Sequence, residues 1–272
     1  MIDRIRGLFG WAGSSGNLVL GAVLVIVAGT WGFIKLADEV VEGETQAFDE
    51  RVMTQLRAPN PDAGKPAADV VPLGPRWLQE AGRDVTGLGG VAVLTLMVSA
   101  VAGYLLLVRK YHAMWLVLVS TTGALVISVL LKNAFDRPRP GGPHFSYVYT
   151  SSFPSGHSML SAAVYLTLGS LLTRLVPGRL AKFYFLAVAI LLTGAVGVSR
   201  VYMGVHYPTD VLAGWTAGLV WALLCYVVAR YLQRRRVIEA DEPQGFPVIV
   251  DAPAGDAAAR AGTDAVPPAG AA

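Results

Sequence analysis

Residues Leu88–Val108 read LGGVAVLTLMVSAVAGYLLLV, a run of 21 residues with no charged side chain. At about 1.5 Å of rise per residue, a helix of that length crosses the roughly 30 Å hydrocarbon core of a bilayer. Five more stretches share its apolar character: Leu18–Leu36, Ala113–Leu131, His157–Leu175, Phe183–Val198 and Val211–Leu232. Phe183–Val198 is the shortest. Together they predict an all-α protein, a bundle of six transmembrane helices. The first stretch is long for a secretory h-region, and no small-x-small cleavage site follows it, so it is expected to stay as the first span.

Composition agrees. Of 272 residues, 54% are hydrophobic and only 15% are charged, against roughly 25% charged in a soluble domain. The mean hydropathy is +0.51. A net charge of +3 is too mild to call for nucleic acid, and no nucleic-acid partner is expected. The single Cys225 rules out an internal disulfide and a cysteine metal cluster.

Basic residues set the orientation. Arg4 and Arg6, Arg109 and Lys110, Arg174, Arg179 and Lys182, and Arg230 with Arg234, Arg235 and Arg236 occupy alternate inter-span segments. Six spans place all of these on one side, which the positive-inside rule makes the cytoplasm. Both termini are then cytoplasmic. Residues 37–87 form a long outer segment that opens with Asp38, Glu39, Glu42, Glu44, Asp49 and Glu50. Apolar residues at helical spacing in it (Phe48, Val52, Leu56; Trp77, Leu78, Val85) suit either short interfacial helices or a small folded cap. Residues 1–238 thus read as one six-span membrane domain. Residues 239–272, rich in Ala, Gly, Pro and Asp, read as a disordered cytoplasmic tail.

Three polar clusters break the pattern. One runs from Lys132 through Arg137-Pro138 to Arg139-Pro140, a second is Pro154-Ser155-Gly156-His157, and the third runs from Ser199-Arg200 through His206 to Asp210. All sit at helix ends on the outer face. Lys132, Arg139, Arg200 and two histidines brought together there would repel one another unless an anion sat among them, and a phosphate suits that place. Gly156 opens the fourth span, where free N–H groups favour an anion. Ser155 is placed either to cap that helix or to donate its hydroxyl to the phosphate. Pro208 fits the first turn of the sixth span. Asp210, four residues after His206, is within reach of its imidazole; accepting Nδ1–H would leave Nε2 free to attack.

In order and spacing, these clusters resemble the three-part signature of the type 2 phosphatidic acid phosphatase and vanadium haloperoxidase superfamily: Lys-x6-Arg-Pro, Pro-Ser-Gly-His and Ser-Arg-x5-His-x3-Asp. Six spans with the signature outside resemble its membrane branch. The resemblance covers Lys132 to Asp210. It implies that His206 attacks phosphorus to form a phosphohistidine and that Asp210 orients it. It also implies that His157 protonates the leaving oxygen and then activates water. Lys132, Arg139, Arg200, Ser155 and the Gly156 amide would hold the phosphoryl oxygens. Cationic side chains replace the metal ion of kinases, so no metal and no cofactor is expected. Arg137-Pro138 offers a shorter spacing; the family spacing selects Arg139, and whether Arg137 shares the role stays open.

The implied activity is a metal-independent lipid phosphate or lipid diphosphate phosphatase, in a bacterial inner membrane with its site on the periplasmic or extracellular side. Undecaprenyl diphosphate, phosphatidylglycerol phosphate, phosphatidic acid and lipid A phosphates all fit, and the oligomeric state is not readable. A lipid phosphotransferase using the same histidine chemistry is the alternative. A transporter would place its ionisable residues mid-membrane, whereas these sit at helix ends. His112 and His144 lie outside the motifs and are expected to be non-catalytic. Gly214-x-x-x-Gly218 has helix-packing spacing, expected to serve contacts within the bundle.

Overall fold

A computed structural model describes residues 14–59, 70–140 and 151–234. Among these, eight helices follow in order: α1 (Ser14–Glu42), α2 (Gln46–Gln55), α3 (Arg76–Gly87), α4 (Val91–Leu107), α5 (Tyr111–Ala134), α6 (Gly156–Leu175), α7 (Arg179–Tyr202) and α8 (Pro208–Arg234). Five of them (α1, α5, α6, α7 and α8) are long and apolar enough to cross a membrane singly. α4 follows α3 across a 49° bend, and the bent pair taken as one brings the number of spans to six. The chain is a multi-span helical membrane protein.

The spans match the expected stretches but run longer. α7 covers Arg179–Tyr202 rather than 183–198, because its ends carry Arg179, Lys182 and Arg200, which an apolar count excludes. The second span is shorter than expected. Its helix starts at Val91, and Gly89 and Gly90 form the corner. A side chain at Gly89 would collide with Val196 and press on the backbone of His157, so only glycine lets the corner approach α6 so closely.

α6 is the hub, packed against α5, α7 and α8, while α1 lies along α8 and α4 along α5. It is the least apolar span. Ser158, Ser161, Ala162, Ala163 and Gly169 are buried along it, small enough for neighbouring helices to approach closely. Gly214 and Gly218 of α8 lie against Ser155, Ser158, Met159 and Ala162, so the glycine pair serves packing within the bundle. Hydrogen bonds reinforce it: Ser120 and Thr167 hydroxyls meet at 2.9 Å, Trp221 Nε1 donates to Ser120 O at 2.8 Å, and Trp215 Nε1 donates to Thr193 O at 3.0 Å. The opposite faces are apolar and open, with Leu24, Trp31, Leu96, Leu107, Leu180 and Leu191 all exposed. Such surface is stable only against lipid.

In the 37–87 segment the described residues form short helices and a strand pair. α2 and α3 are short helices, and between them strands β1 (Arg57–Pro59) and β2 (Val70–Pro72) pair antiparallel, a small addition to the all-α plan. The segment is fastened to α7: Tyr202 donates its hydroxyl to Leu73 O at 2.8 Å, and Arg57 Nη1 donates to Tyr202 O at 3.0 Å. The expected tail at 239–272, and His144, fall outside the described residues.

Candidate active site

The three clusters converge where α5 ends and α6 and α8 begin. Gly156 starts α6, and Ser155 is its N-cap, accepting from Ser158 N–H at 3.5 Å and from the Ser158 hydroxyl at 3.0 Å. Of the two placements open to Ser155, the cap is the one seen. Ser155 N–H donates to Asp210 O at 2.9 Å, which joins the two helix N-termini. Pro208 opens α8 and Asp210 lies in its first turn. Lys132 is in the last turn of α5; its Nζ donates to Ser151 O at 2.9 Å, and its Cε sits beside Gly156.

His206 lies in the short connection between α7 and α8 and is 1% exposed. Its Nδ1 is 3.4 Å from Asp210 Oδ2, and its Nε2 is 3.4 Å from Arg139 Nη1. Arg139 is fixed by a 3.0 Å bond to Val205 O. His157 stands in the first turn of α6, beneath the Gly89-Gly90 corner. His206, Arg200, Lys132 and Arg139 all lie within electrostatic range of it. Arg200, in the last turn of α7, reaches Thr86 Oγ1 at 3.4 Å, while its Nε is buried with no partner among the described residues. An orphaned guanidinium nitrogen among further cations is the donor set of an anion site.

Burial pushes the His206 imidazole down to about 4; Asp210 opposes this, and Arg200 and Arg139 add to it. At neutral pH the ring is therefore uncharged, with a lone pair available as a nucleophile must have. Burial likewise lowers Arg139 from its ordinary value, with Asp210 opposing. His112, by contrast, is in the first turn of α5, at the end away from Lys132. There it lines a pocket with Arg174 and Gln233.

Arg137 is placed differently from Arg139. Its Nη1 donates to Asp210 Oδ1 at 2.6 Å and to Thr209 Oγ1 at 2.8 Å, and its Nη2 donates to Asp49 Oδ2 at 2.8 Å. Its guanidinium also stacks over the Tyr207 ring, 4.4 Å from the centroid. Burial opposes its charge, but Asp210 and Asp49 outweigh that and raise Arg137 above its ordinary value. Arg139 faces His206 Nε2 and Arg137 braces the Asp210 carboxylate behind it. Asp49 is one acid among several in the 37–87 segment. It is fully buried and also accepts from Thr209 N–H at 3.1 Å and from the Thr209 hydroxyl at 2.5 Å. Its one sequence signal was position: it shares a helical face with Val52 and Leu56.

Comparison with known proteins decides the family. The PAP2 superfamily matches residues 113–234. Phosphatidylglycerophosphatase B of Bacillus subtilis is 35% identical over 147 residues, covering 53% of this chain and 71% of the relative. The chain belongs to the PAP2 superfamily. Lipid A 1-phosphatase of Rhizobium etli is 34% identical over 178 residues, covering 57% of this chain and 72% of that protein. The crystal structure of a transmembrane PAP2-type phosphatidylglycerolphosphate phosphatase from Bacillus subtilis superposes with a TM-score of 0.67 at 27% identity, covering 77% of this chain and 98% of that one. This PAP2 protein is a membrane lipid phosphatase, a hydrolase. All three signature clusters fall within the matched residues.

Proposed function

We propose that the chain hydrolyses a lipid phosphate or diphosphate through a phosphohistidine on His206, without a metal ion. The observation that carries this is the state of His206: buried, neutral, with Asp210 on Nδ1 and Arg139 beside Nε2. Nε2 attacks phosphorus, the bond from phosphorus to the leaving oxygen breaks, and protonated His157 delivers its proton to that oxygen. Neutral His157 then takes a proton from water. The hydroxide attacks phosphorus, the P–N bond breaks, and phosphate leaves with His206 restored. Lys132, Arg139, Arg200 and the α6 N-terminus hold the equatorial oxygens, where charge accumulates. Ser155, capping through its lone pairs, keeps its hydroxyl hydrogen for a phosphoryl oxygen.

Four cations here face two carboxylates (Asp49 and Asp210), so the site is left with two positive charges for a phosphate to neutralise. Its place at helix ends suits a substrate whose headgroup lies at the membrane surface while its tails stay in lipid. We place it on the outer face, with both termini cytoplasmic. The relatives direct attention to phosphatidylglycerol phosphate and lipid A 1-phosphate; undecaprenyl diphosphate and phosphatidic acid offer the same chemistry.

The test is phosphate release from these lipids by purified protein in excess chelator, with His206→Ala as the blank. Release by wild type alone is expected, and vanadate should inhibit it. Activity that appears only when a divalent metal is restored would overturn the mechanism. Transfer to an added alcohol in place of water would make the chain a phosphotransferase.

A further inference from the structure

We propose that Asp49, carried by the outer segment, is a positioning residue for the nucleophile: it holds Arg137 and the first turn of α8 so that the Asp210 carboxylate stays aimed at His206 Nδ1. This rests on the phosphohistidine reading above.

Asp49 has no exposure, and each of its oxygens is used. Oδ1 accepts Thr209 N–H at 3.1 Å; Oδ2 accepts Arg137 Nη2 at 2.8 Å and the Thr209 hydroxyl at 2.5 Å. Thr209 is the second residue of α8, so Asp49 caps that helix from 160 residues away, at the end where a carboxylate is favoured. The shared guanidinium then links two carboxylates. With Nη2 held by Asp49, Arg137 has Nη1 for Asp210 Oδ1 at 2.6 Å. That leaves Oδ2 to accept Tyr207 N–H at 2.9 Å and to face His206 at 3.4 Å. Without Asp49, Nη2 would be a buried donor with no partner, and its nearest remedy is to turn the fork onto both oxygens of Asp210. A bidentate pair of that kind is the preferred geometry of arginine and carboxylate, and it would draw Oδ2 away from the imidazole. Asp49 therefore acts through Arg137 and Asp210 and touches no substrate.

Asp49→Asn keeps the shape but turns an N–H toward Arg137 or Thr209. We expect kcat to fall by roughly 10–100-fold, as for other groups that orient a reacting residue, with KM changed by less than about threefold. In an Asp210→Asn background the same change should cost less than about twofold, because the two act as one unit. Histidine-labelled protein gives a readout independent of turnover. With four histidines in the chain, the His206 Nδ1–H resonance can be assigned by loss in His206→Gln. It should move upfield in both Asp49→Asn and Asp210→Asn.

A lowered unfolding temperature with full kcat per folded molecule would mean that Asp49 is only a brace and would overturn the proposal. So would additive losses in the double variant, or an unmoved resonance in Asp49→Asn. A wild type that releases no phosphate, while the resonance still moves in both variants, would sink the phosphatase mechanism and leave the positioning role standing. If Asp49→Asn does not fold, Thr209→Val removes one partner of the same carboxylate and should shift kcat and the resonance in the same direction by a smaller amount.

Discussion

Arg139 Nη1 lies 3.4 Å from His206 Nε2, across the imidazole from Asp210. The two arginines of the Arg137-Pro138-Arg139-Pro140 stretch thus address opposite sides of the His206–Asp210 pair, and their loss should be felt in different quantities.

Arg139→Ala should fold normally and lose about 10²–10³-fold in kcat, as expected when a preorganised donor to developing charge is removed. Arg137→Ala should lower the unfolding temperature as well as kcat, since two buried carboxylates lose their shared cation at a cost of about 3–5 kcal/mol and Asp210 loses the partner that aims it. Thermal unfolding in detergent beside turnover separates them. If Arg137→Ala is as stable as wild type, the division of labour is wrong.

Leaving-group chemistry distinguishes the histidines. His157→Ala should lower the rate on a lipid alkyl phosphate by roughly 10²–10⁴-fold. A substrate with an acidic leaving alcohol needs no proton and should restore part of that loss. His206→Ala should stay inactive on both. Equal restoration in the two variants would exchange or abolish the assigned roles.

Acid should weaken the fold through His206. Its folded value of about 4 lies below the ordinary 6.5, so the unfolded chain binds the proton more readily. Stability then falls as pH drops below 6.5, and the loss is complete below about 4, amounting to roughly 3 kcal/mol. The unfolding temperature of wild type should fall more steeply than that of His206→Gln across this window. Parallel curves would contradict the buried neutral imidazole.

Gly214→Ala should impair both stability and turnover, because its new methyl would meet Ser155 O and Met159 N where the two helix N-termini join. Overpacking of this kind costs about 1–3 kcal/mol. Gly32→Ala, on α1 with nothing near it, should be neutral in the same assays.

Orientation can be read with Glu44→Cys in a Cys225→Ser background. Glu44 is exposed in the turn between α1 and α2. A membrane-impermeant maleimide should label it in intact cells. Labelling only after the membrane is opened would place the site on the inner face.

The bundle and the signature clusters were legible because each rests on local pattern: apolar runs for the spans, fixed spacings for Lys132, Arg139, His157, Arg200, His206 and Asp210. What escaped depends on contacts distant in sequence. Asp49 differs from Glu44 or Glu50 only in meeting Arg137 and Thr209, 88 and 160 residues away. Thr86, which receives the Ser199 hydroxyl at 2.9 Å, gave no signal either, since a lone threonine near a helix end has no pattern. The ends of α7 were clipped because the basic residues that finish a span at the interface look like its boundary.

The sparing hydropathy of α6 bears on how the protein is made. A helix that opens with His157 and carries Ser158, Ser161, Thr167, Ser170 and Thr173 enters lipid at a higher cost than the other single-helix spans, since each polar side chain adds to that cost. Its hydroxyls find partners on α5 and within its own turns, while the Ser161 carbonyl accepts from the Thr193 hydroxyl of α7. A nascent chain stopped at Leu175 would have α5 but would lack α7 and α8. Close packing of α6 then waits for the helices synthesised after it, and the N-terminus it brings to the site is assembled only when the last span has been delivered.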